Sequence, residues 1–338
     1  MQPKGVVLYG PGRIGQLAAR LIVERGWPIK AVVNRPGAKI GQDLGGLSDE
    51  PALAGLVVQD ENAFDPASVD ADIAIVTSSD RVALNFPVYK RFLEAGLNVL
   101  SVGCEASFPW AGTPELAAEI DALAKANGVT FTGSGFQDVH RVWVGKLLIG
   151  ACASVRGFSH RSYTDIAPHG LETARLVGAG LTLDEFNAAQ AASGERETSI
   201  YRVFFEQVAR SVNLDVESVE EVVEPIVKSV PLHCPALKRD IPAGDVIGTR
   251  FKTVVRAKGG VVATAENELR LFEPSESPRI IWTVDGSPPA HVEVTGFDSY
   301  VGTSSPLVNR IPDVLAAAPG LVTIDQLGPP KFWGNPAD

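Results

Sequence analysis

A chain of 338 residues, 45% of them hydrophobic, is long enough for two domains of ordinary size, each with its own core. Its 40 acidic residues against 30 basic give a formal charge of −10, and no basic run interleaved with aromatics is present, so nucleic acid is not an expected partner. No apolar stretch has the length of a bilayer span and nothing at the start is leader-like, which excludes a membrane partner and leaves a cytoplasmic protein as the expectation.

Val6 to Tyr9 is a short apolar run suited to a buried parallel strand. Gly10-Pro11-Gly12-Arg13-Ile14-Gly15 follows, and Ile14, Leu17, Ala18, Leu21 and Ile22 then recur at helical spacing until Gly26. Strand, glycine-rich turn and helix in this order form the setting in which G-x-G-x-x-G binds a dinucleotide. The first glycine permits the tight turn, the second lets a pyrophosphate approach the backbone, and the third brings helix close to strand. The helix N-terminus adds amide donors. The rival reading is a bare βα turn with no ligand.

The second strand, Ile29 to Val33, says which dinucleotide. An NAD site places Asp or Glu about 20 residues past the glycines to bind the ribose 2′-hydroxyl. Here Asn34-Arg35-Pro36 occupies that place. A carboxylate would repel a 2′-phosphate, whereas Asn34 can donate to it, Arg35 can pair with it as a charged fork, and Arg13 can add a second cation. NADP(H) is therefore the expected cofactor, with NAD(H) left open. The alternative makes Arg35 a solvated loop residue.

The alternation of strand and helix continues. Ile73 to Thr77 is a strand entering Ser78-Ser79-Asp80, Leu84 to Ala95 a helix stopped by Gly96, and Asn98 to Val102 another strand. Thr113-Pro114-Glu115 supplies an N-cap, a proline at the first helical position and an early acid for a helix that reaches Asn127-Gly128. Val129 to Thr132 is one more strand, and Gly133-Ser134-Gly135 is the turn out of the domain. Residues 1–135 thus read as an α/β, doubly wound parallel Rossmann domain.

Beyond it the pattern changes. Val139 to Ile149 reads as a helix, Val155 to Tyr163 as a strand, and a capping box at Thr182 and Glu185 opens a further helix. From Val246 to Phe297, three long alternating segments punctuated by Lys258-Gly259-Gly260 and Asp285-Gly286 read as antiparallel strands with hairpin turns. Residues 136–305 are expected to form a second, α+β domain with a mostly antiparallel sheet, binding substrate and forming a homodimer through the sheet's outer face or edge. Residues 306–338 are expected to be a tail whose short apolar helix, Ile311 to Ala318, packs back on the first domain.

Three separated cysteines, Cys104, Cys152 and Cys234, without a C-x-x-C pair suit reduced thiols. Neither His160 nor His169 has a ligand partner four residues on, so no metal site is expected. Chemistry is expected at Ser101-Val102-Gly103-Cys104-Glu105, because ligands of open α/β sheets bind outside the carboxyl ends of the strands, near the switch in strand order. The same rule makes Thr77, Ser78, Ser79 and Cys104 cofactor-binding candidates beside Gly10, Gly12, Arg13, Ile14, Gly15, Asn34 and Arg35. Glu105 in a partly dry crevice suits acid-base work. Its structural alternatives are a cap for the helix near Thr113 or an ion pair. Cys104 offers a rival chemistry, the thiolate of an acylating aldehyde dehydrogenase, although no activating histidine stands near it and an inert buried cysteine is commoner.

The Gly10 to Gly15 turn, Asn34-Arg35, Asn98 to Glu105 followed by Phe108-Pro109-Trp110, Thr132 to Asp138, and Val308-Asn309-Arg310-Ile311-Pro312 together resemble the NAD(P)-dependent amine dehydrogenases. That family is related to 2,4-diaminopentanoate dehydrogenase and has a dihydrodipicolinate reductase-like fold. The resemblance covers most of the chain and is most specific at Cys-Glu-x-x-x-Pro-Trp. It implies reversible reductive amination of a ketone or aldehyde with ammonia, with the catalytic glutamate at Glu105. Departures narrow the substrate. Phe158 to Asp165 lacks the His-His and Lys pattern of dihydrodipicolinate reductases. Phe136-Gln137-Asp138 stands where diaminopentanoate enzymes commonly read Asn-Pro-Gly, which puts a diamino acid in doubt. Phe136, Gln137, Trp143, Tyr163 and Thr303 are expected to line a compact pocket for a short aliphatic or cyclic ketone, each with core packing as its alternative. Asn309 is expected to reach the nicotinamide carboxamide or else to cap the tail helix. Two other readings stay open: a dehydrogenase of a diamino acid or a simple alcohol, and a non-catalytic NADP(H)-binding sensor.

Overall fold

The computed structural model describes residues 2–192 and 198–334, so the final positions of the expected tail, 335–338, lie outside the described residues. The chain divides into two compact units, residues 1–143 together with 298–338, and residues 144–297. The divisions fall at 143 and 297, whereas the sequence pattern places them at 135 and 305.

The first unit opens with β1 (Val6–Tyr9), α1 (Arg13–Glu24), β2 (Ile29–Asn34), α2 (Leu44–Ser48), β3 (Val58–Asp60), β4 (Ile73–Val76), α3 (Val82–Glu94), β5 (Asn98–Ser101), α4 (Pro114–Ala126) and β6 (Thr130–Gly133). Every residue of β1 and β4 is buried, as central strands covered on both faces require. Side chains alternate between two cores. Val6 and Leu8 pack with Ala18 and Ile22 of α1, while Val7 and Tyr9 share the other core with Tyr89 and Phe92 of α3 and Ile120 of α4. After β6, Asp138–Trp143 forms a π-helical stretch where an ordinary helix is expected.

The second unit runs through α5 (Val144–Gly150), β7 (Ser154–Asp165), α6 (Gly170–Leu176), α7 (Leu183–Ala192), α8 (Ile200–Ser211), β8 (Val216–Val227), β9 (Leu232–Cys234), β10 (Arg239–Ile241), β11 (Val246–Ala257), β12 (Val262–Arg270), β13 (Arg279–Ser287) and β14 (Ala290–Thr295). Six strands form one sheet in the order β14-β13-β7-β12-β11-β8, antiparallel except for the β7–β12 pair. The expected Thr182–Glu185 capping box is present ahead of α7. Residues 246–297 hold four strands rather than three. Asp285-Gly286 is not a turn: it lies inside β13, where a Cβ on Gly286 would sit 2.7 Å from the Ser154 carbonyl oxygen of the neighbouring strand. The glycine there serves close backbone approach. One face of the sheet buries Phe158, His160 and Trp282 with Phe204 and Phe205 of α8. The other carries cross-strand ion pairs, Arg250 to Glu268 at 2.6 Å and Lys252 to Glu224 at 2.9 Å.

The chain then returns to the first unit as α9 (Ser299–Asn309), α10 (Ile311–Ala316) and β15 (Gly320–Leu321). Its parallel sheet is complete in the order β15-β6-β5-β4-β1-β2-β3, with the direction of strand addition reversing between β1 and β4. Asp298 caps α9 by accepting from the Tyr300 and Val301 amides. Leu307, Val308, Ile311 and Val314 enter the core that Val6 and Leu8 begin. Between α9 and α10 lies Arg310, with no exposed surface. It donates to both carboxylate oxygens of Asp138 at 2.7 and 2.8 Å and to Asp313 at 3.0 Å. Ser134 completes the pair by donating to Asp138 at 2.8 Å. Burial works against the Arg310 charge, yet the contacts with Asp138 hold its pKa above the ordinary value.

Removing one partner of a buried pair strands the other charge, at a cost of about 3–5 kcal/mol. Arg310→Met is therefore expected to lower stability by that amount, read as loss of hydrogen-exchange protection in β5 and β6. Unchanged protection would show the pair to be dispensable. In the second unit, bonds from Arg270 at 2.5 and 2.7 Å hold the Glu276 pKa at about 2, below its usual 4.5. A depressed carboxylate stabilises the fold above its unfolded pKa and loses that contribution as pH falls through the folded one. The stability gap between wild type and Glu276→Gln is expected to narrow from pH 4.5 toward 2, measured by thermal melts across that range, and a constant gap would contradict the assignment.

Candidate active site

The glycine turn between β1 and α1 separates the demands of packing from those of a ligand. Gly10 has φ +89°, and a Cβ there would lie 3.2 Å from the Thr77 carbonyl carbon; one on Gly15 would lie 2.4 Å from the Gly10 oxygen. These two glycines are required by the fold itself. A Cβ on Gly12 would meet none of the described residues within 4 Å, so the fold itself leaves room there for a side chain or for an approaching pyrophosphate. Gly12 is also the N-cap of α1 and contributes no side-chain cap to the amides of the first turn. The turn therefore fits a pyrophosphate, with amide donors and the positive end of the helix dipole.

Thr77, Ser78 and Ser79 leave β4 and hold this region in shape. The Thr77 hydroxyl donates to the Gly10 carbonyl at 2.6 Å, Ser78 donates to Asn85 at 2.7 Å, and Ser79 accepts from the Arg81 amide at 3.1 Å. Asn34 ends β2, and Arg35 beyond it is exposed. Arg13 places its guanidinium carbon over the ring of Tyr300, 3.6 Å from its centroid. A cation overlooked in the sequence, Lys39, donates to the Pro11 carbonyl at 2.8 Å.

Glu105 stands in the turn Cys104–Ser107 that follows β5 and is only 4% exposed. One carboxylate oxygen accepts from the Val82 amide at 2.7 Å, at the start of α3, whose own N-cap residue Arg81 makes no side-chain cap. Glu105 does cap a helix, but it is α3 and not the one that begins near Thr113. Its turn is clamped by backbone. The Glu105 amide donates to the Asp80 carbonyl at 3.2 Å, and the Cys104 amide to the Asp80 carboxylate at 3.2 Å. A Cβ on Gly133 of β6 would come within 2.3 Å of Ala106 and Ser107 backbone atoms. Below the turn, the Tyr89 hydroxyl bonds Ser101 at 2.6 Å, and Ser101 accepts from the Gly103 amide at 3.1 Å. Burial pushes the Tyr89 pKa up, and the nearby charges of Glu105 and Asp80 add to it.

The surroundings of Cys104 favour its thiol over a thiolate. Burial, with the Asp80 charge second, raises its pKa well above the ordinary value, and its thiol donates to Gln137 at 3.5 Å. That environment disfavours the thiolate an acylating aldehyde dehydrogenase would use. Gln137 in turn donates to the Ser134 carbonyl at 3.2 Å, so it braces the loop after β6 against the Glu105 turn. Phe136 stacks on His140 with centroids 4.6 Å apart, and the methyl of Thr303 would lie 3.3 Å from a Cβ on Gly135. The structure thus gathers Phe136, Gln137 and Thr303 around that loop. Trp143 is buried at 8% exposure, and Tyr163 belongs to β7 of the second unit, where Arg279 covers its ring at 4.5 Å on the face away from α8.

Asn309, expected at a nicotinamide carboxamide or as a cap of the tail helix, ends α9. Its side-chain oxygen accepts at 2.9 Å from Arg25, which follows α1 and folds back onto the Leu21 carbonyl. Arg13 and Tyr300 meet at the other end of the same two helices, so α9 lies alongside α1 in the same direction.

The family model described as the 2,4-diaminopentanoate dehydrogenase C-terminal domain matches residues 144–336. The chain belongs to this family. It is similar, at 27% identity over 98% of its length and 95% of the relative's, to 2,4-diaminopentanoate dehydrogenase of Acetoanaerobium sticklandii. Amine dehydrogenase from Mycobacterium smegmatis superposes with a TM-score of 0.87 at 29% identity, covering 97% of each chain. The WlbA dehydrogenase from Bordetella pertussis, solved with NADH and UDP-GlcNAcA, superposes at 0.59 with 14% identity over 96% of this chain and 92% of that one, a likeness of fold alone. Relatives of this diaminopentanoate dehydrogenase family member thus share both its units.

Gly133→Ala is the sharpest test of how the Glu105 turn is held. Backbone atoms at 2.3 Å cannot yield as a flexible side chain would, so the turn must shift. Displacement of about 1 Å costs on the order of a hundredfold in rate. Dehydrogenase turnover is expected to fall by that order while the far-ultraviolet circular dichroism is retained. Wild-type turnover in a folded variant would show that the turn tolerates movement.

Proposed function

We propose that the chain is an NADP(H)-preferring amine dehydrogenase that reversibly aminates a small aliphatic or cyclic ketone or aldehyde with ammonia. That it is an NAD(P)-dependent oxidoreductase acting on amine donors follows from its family and relatives. The observation that carries the finer reading is the buried Glu105 carboxylate on the Val82 amide, outside the carboxyl end of β5. An amide donor and the positive end of a helix both favour a carboxylate over the neutral acid. An anion held in a mostly dry turn is suited to a reaction whose reacting centre becomes cationic.

A bound nicotinamide cofactor supplies the hydride, and the protein supplies placement. Gly12 and the first turn of α1 would hold the pyrophosphate, with Asn34 and Arg35 toward the adenosine 2′-phosphate. In the amination direction ammonia adds to the carbonyl, and the carbinolamine loses water to give an iminium. The Glu105 carboxylate would take a proton from ammonium as ammonia is released to add, pass it to the hydroxyl that departs as water, and so face the iminium as an anion again. The iminium then accepts hydride to give the amine. The reading extends to a homodimer working in the cytoplasm, where the three unpaired thiols Cys104, Cys152 and Cys234 remain reduced.

A second reading, oxidation of a diamino acid, is favoured by the 27% identity to 2,4-diaminopentanoate dehydrogenase. Against it, Gln137 and Asp138 stand in the loop that reads Asn-Pro-Gly in those enzymes, and both are committed here, to Ser134 and to Arg310.

The experiment is NADPH oxidation with short ketones, with and without concentrated ammonium at alkaline pH, in wild type and Glu105→Gln. Ammonium-dependent consumption that falls at least a hundredfold in the variant is the expected result. Consumption without ammonium makes the enzyme a carbonyl reductase; no consumption with any ketone, together with NADP+ reduction when 2,4-diaminopentanoate is supplied in the reverse assay, supports the second reading.

A further inference from the structure

We infer that Lys39 is the residue through which this chain distinguishes NADP(H) from NAD(H), as a cation for the adenosine 2′-phosphate beside Arg35. The inference rests on the NADP(H) reading above and assigns it to a side chain that the β2-end motif does not contain.

Three observations converge on it. The loop leaving β2, residues 35–42, carries Arg35 and Lys39 and no carboxylate. It is folded back toward the glycine turn and tied down, with the Ile40 amide on the Gly37 carbonyl at 3.2 Å and the Gly41 amide on the Val58 carbonyl at 2.9 Å. Within it the Lys39 ammonium is lodged on the Pro11 carbonyl at 2.8 Å, between the first two glycines of the dinucleotide motif. An ammonium has three donors, and Pro11 takes one.

Arg13, the other cation of the turn, places its guanidinium carbon over the Tyr300 ring. The nearby carboxylates are turned to partners of their own. Asp43 accepts from the Gly46 and Gly55 amides, Asp60 from the Asn62 amide, and Glu61 from the Tyr9 hydroxyl at 2.6 Å. Asp43, Asp60 and Glu61 are thus each engaged within the fold, while a 2′-phosphate would find an ammonium already fixed on the turn. Lysine recognises phosphate as a point charge, complementary to the planar fork of Arg35.

The test is binding without turnover: calorimetric titration of the full chain with 2′,5′-ADP and with 5′-AMP, comparing wild type, Lys39→Gln and Lys39→Arg. Loss of one charge-assisted contact corresponds to about tenfold in affinity. Lys39→Gln is expected to weaken 2′,5′-ADP about tenfold or more, with 5′-AMP within twofold of wild type and Lys39→Arg restoring most of the loss. Equal loss for both nucleotides would make Lys39 a structural strap on the turn, and no loss for either would make it a solvated side chain; each overturns the inference. If wild type itself binds the two nucleotides equally, the NADP(H) reading fails first, a result distinct from failure of Lys39 alone.

Discussion

The Arg310–Asp138 pair fixes the first unit beside the turn that carries Glu105. Asp138 follows β6 by five residues, and Arg310 joins the two tail helices. Their bidentate contact binds segments 172 residues apart in the chain. Ser134 answers to the same carboxylate, and its amide donates to the Ser101 carbonyl at the end of β5. The loop that leads out of β6 is thus held on one side by the tail and on the other by the strand that delivers Glu105. Two charges taken out of water are tolerated because each of the three guanidinium nitrogens donates to a carboxylate. The Lys252–Glu224 pair of the second unit, open to water on both sides and worth at most about 1 kcal/mol, has no such hold over its surroundings.

The cap that Glu105 makes on α3 and the catalytic role proposed for it, set against each other in the sequence, are compatible in one side chain. As the cap of α3 it serves structure, and the cap is what fixes its carboxylate. A cap is worth roughly 1 kcal/mol, whereas a preorganised charge at a reacting centre is worth several. Replacement by glutamine retains an acceptor for Val82 and removes the charge, so the two contributions separate. The glycines around it play a matching part. Gly103 and Gly133 let three loops approach backbone to backbone, which a Cβ at either position would prevent.

Much of the first unit was legible because its signals are local. Period, punctuation and the glycine motif fall within the first 35 residues, and the buried runs of β1 and β4 have no alternative to a covered parallel sheet. The α9 helix was not legible, since Gly302 and Pro306 interrupt its pattern and its cap, Asp298, is an ordinary turn residue. Nor was β8, whose valines and glutamates do not alternate strictly. The site shows the same divide. Glu105 could be located from its strand, but not its partner Val82, which lies 23 residues earlier on another helix. The tail motif drew attention to Asn309, while the adjacent Arg310 makes the decisive contact. A motif marks a neighbourhood, and only packing says which of its side chains faces inward. Lys39 lies past the expected position because the loop carrying it doubles back, and no periodicity records that.

The first unit draws its core from both ends of the chain, and this bears on how the protein is made. A ribosome releases β1 to β6 early, but α9, α10 and β15 emerge only after the whole second unit has been synthesised. Until then Val6, Leu8 and Ile22 lack the neighbours Leu307, Val308, Ile311 and Val314, and Asp138 lacks its counterion. The second unit, contiguous from 144 to 297, has all its strands before the first can close. Synthesis therefore reverses the order of the sequence: the unit that begins the chain is the last to be finished, and its nascent apolar edge is the surface a chaperone would have to shield.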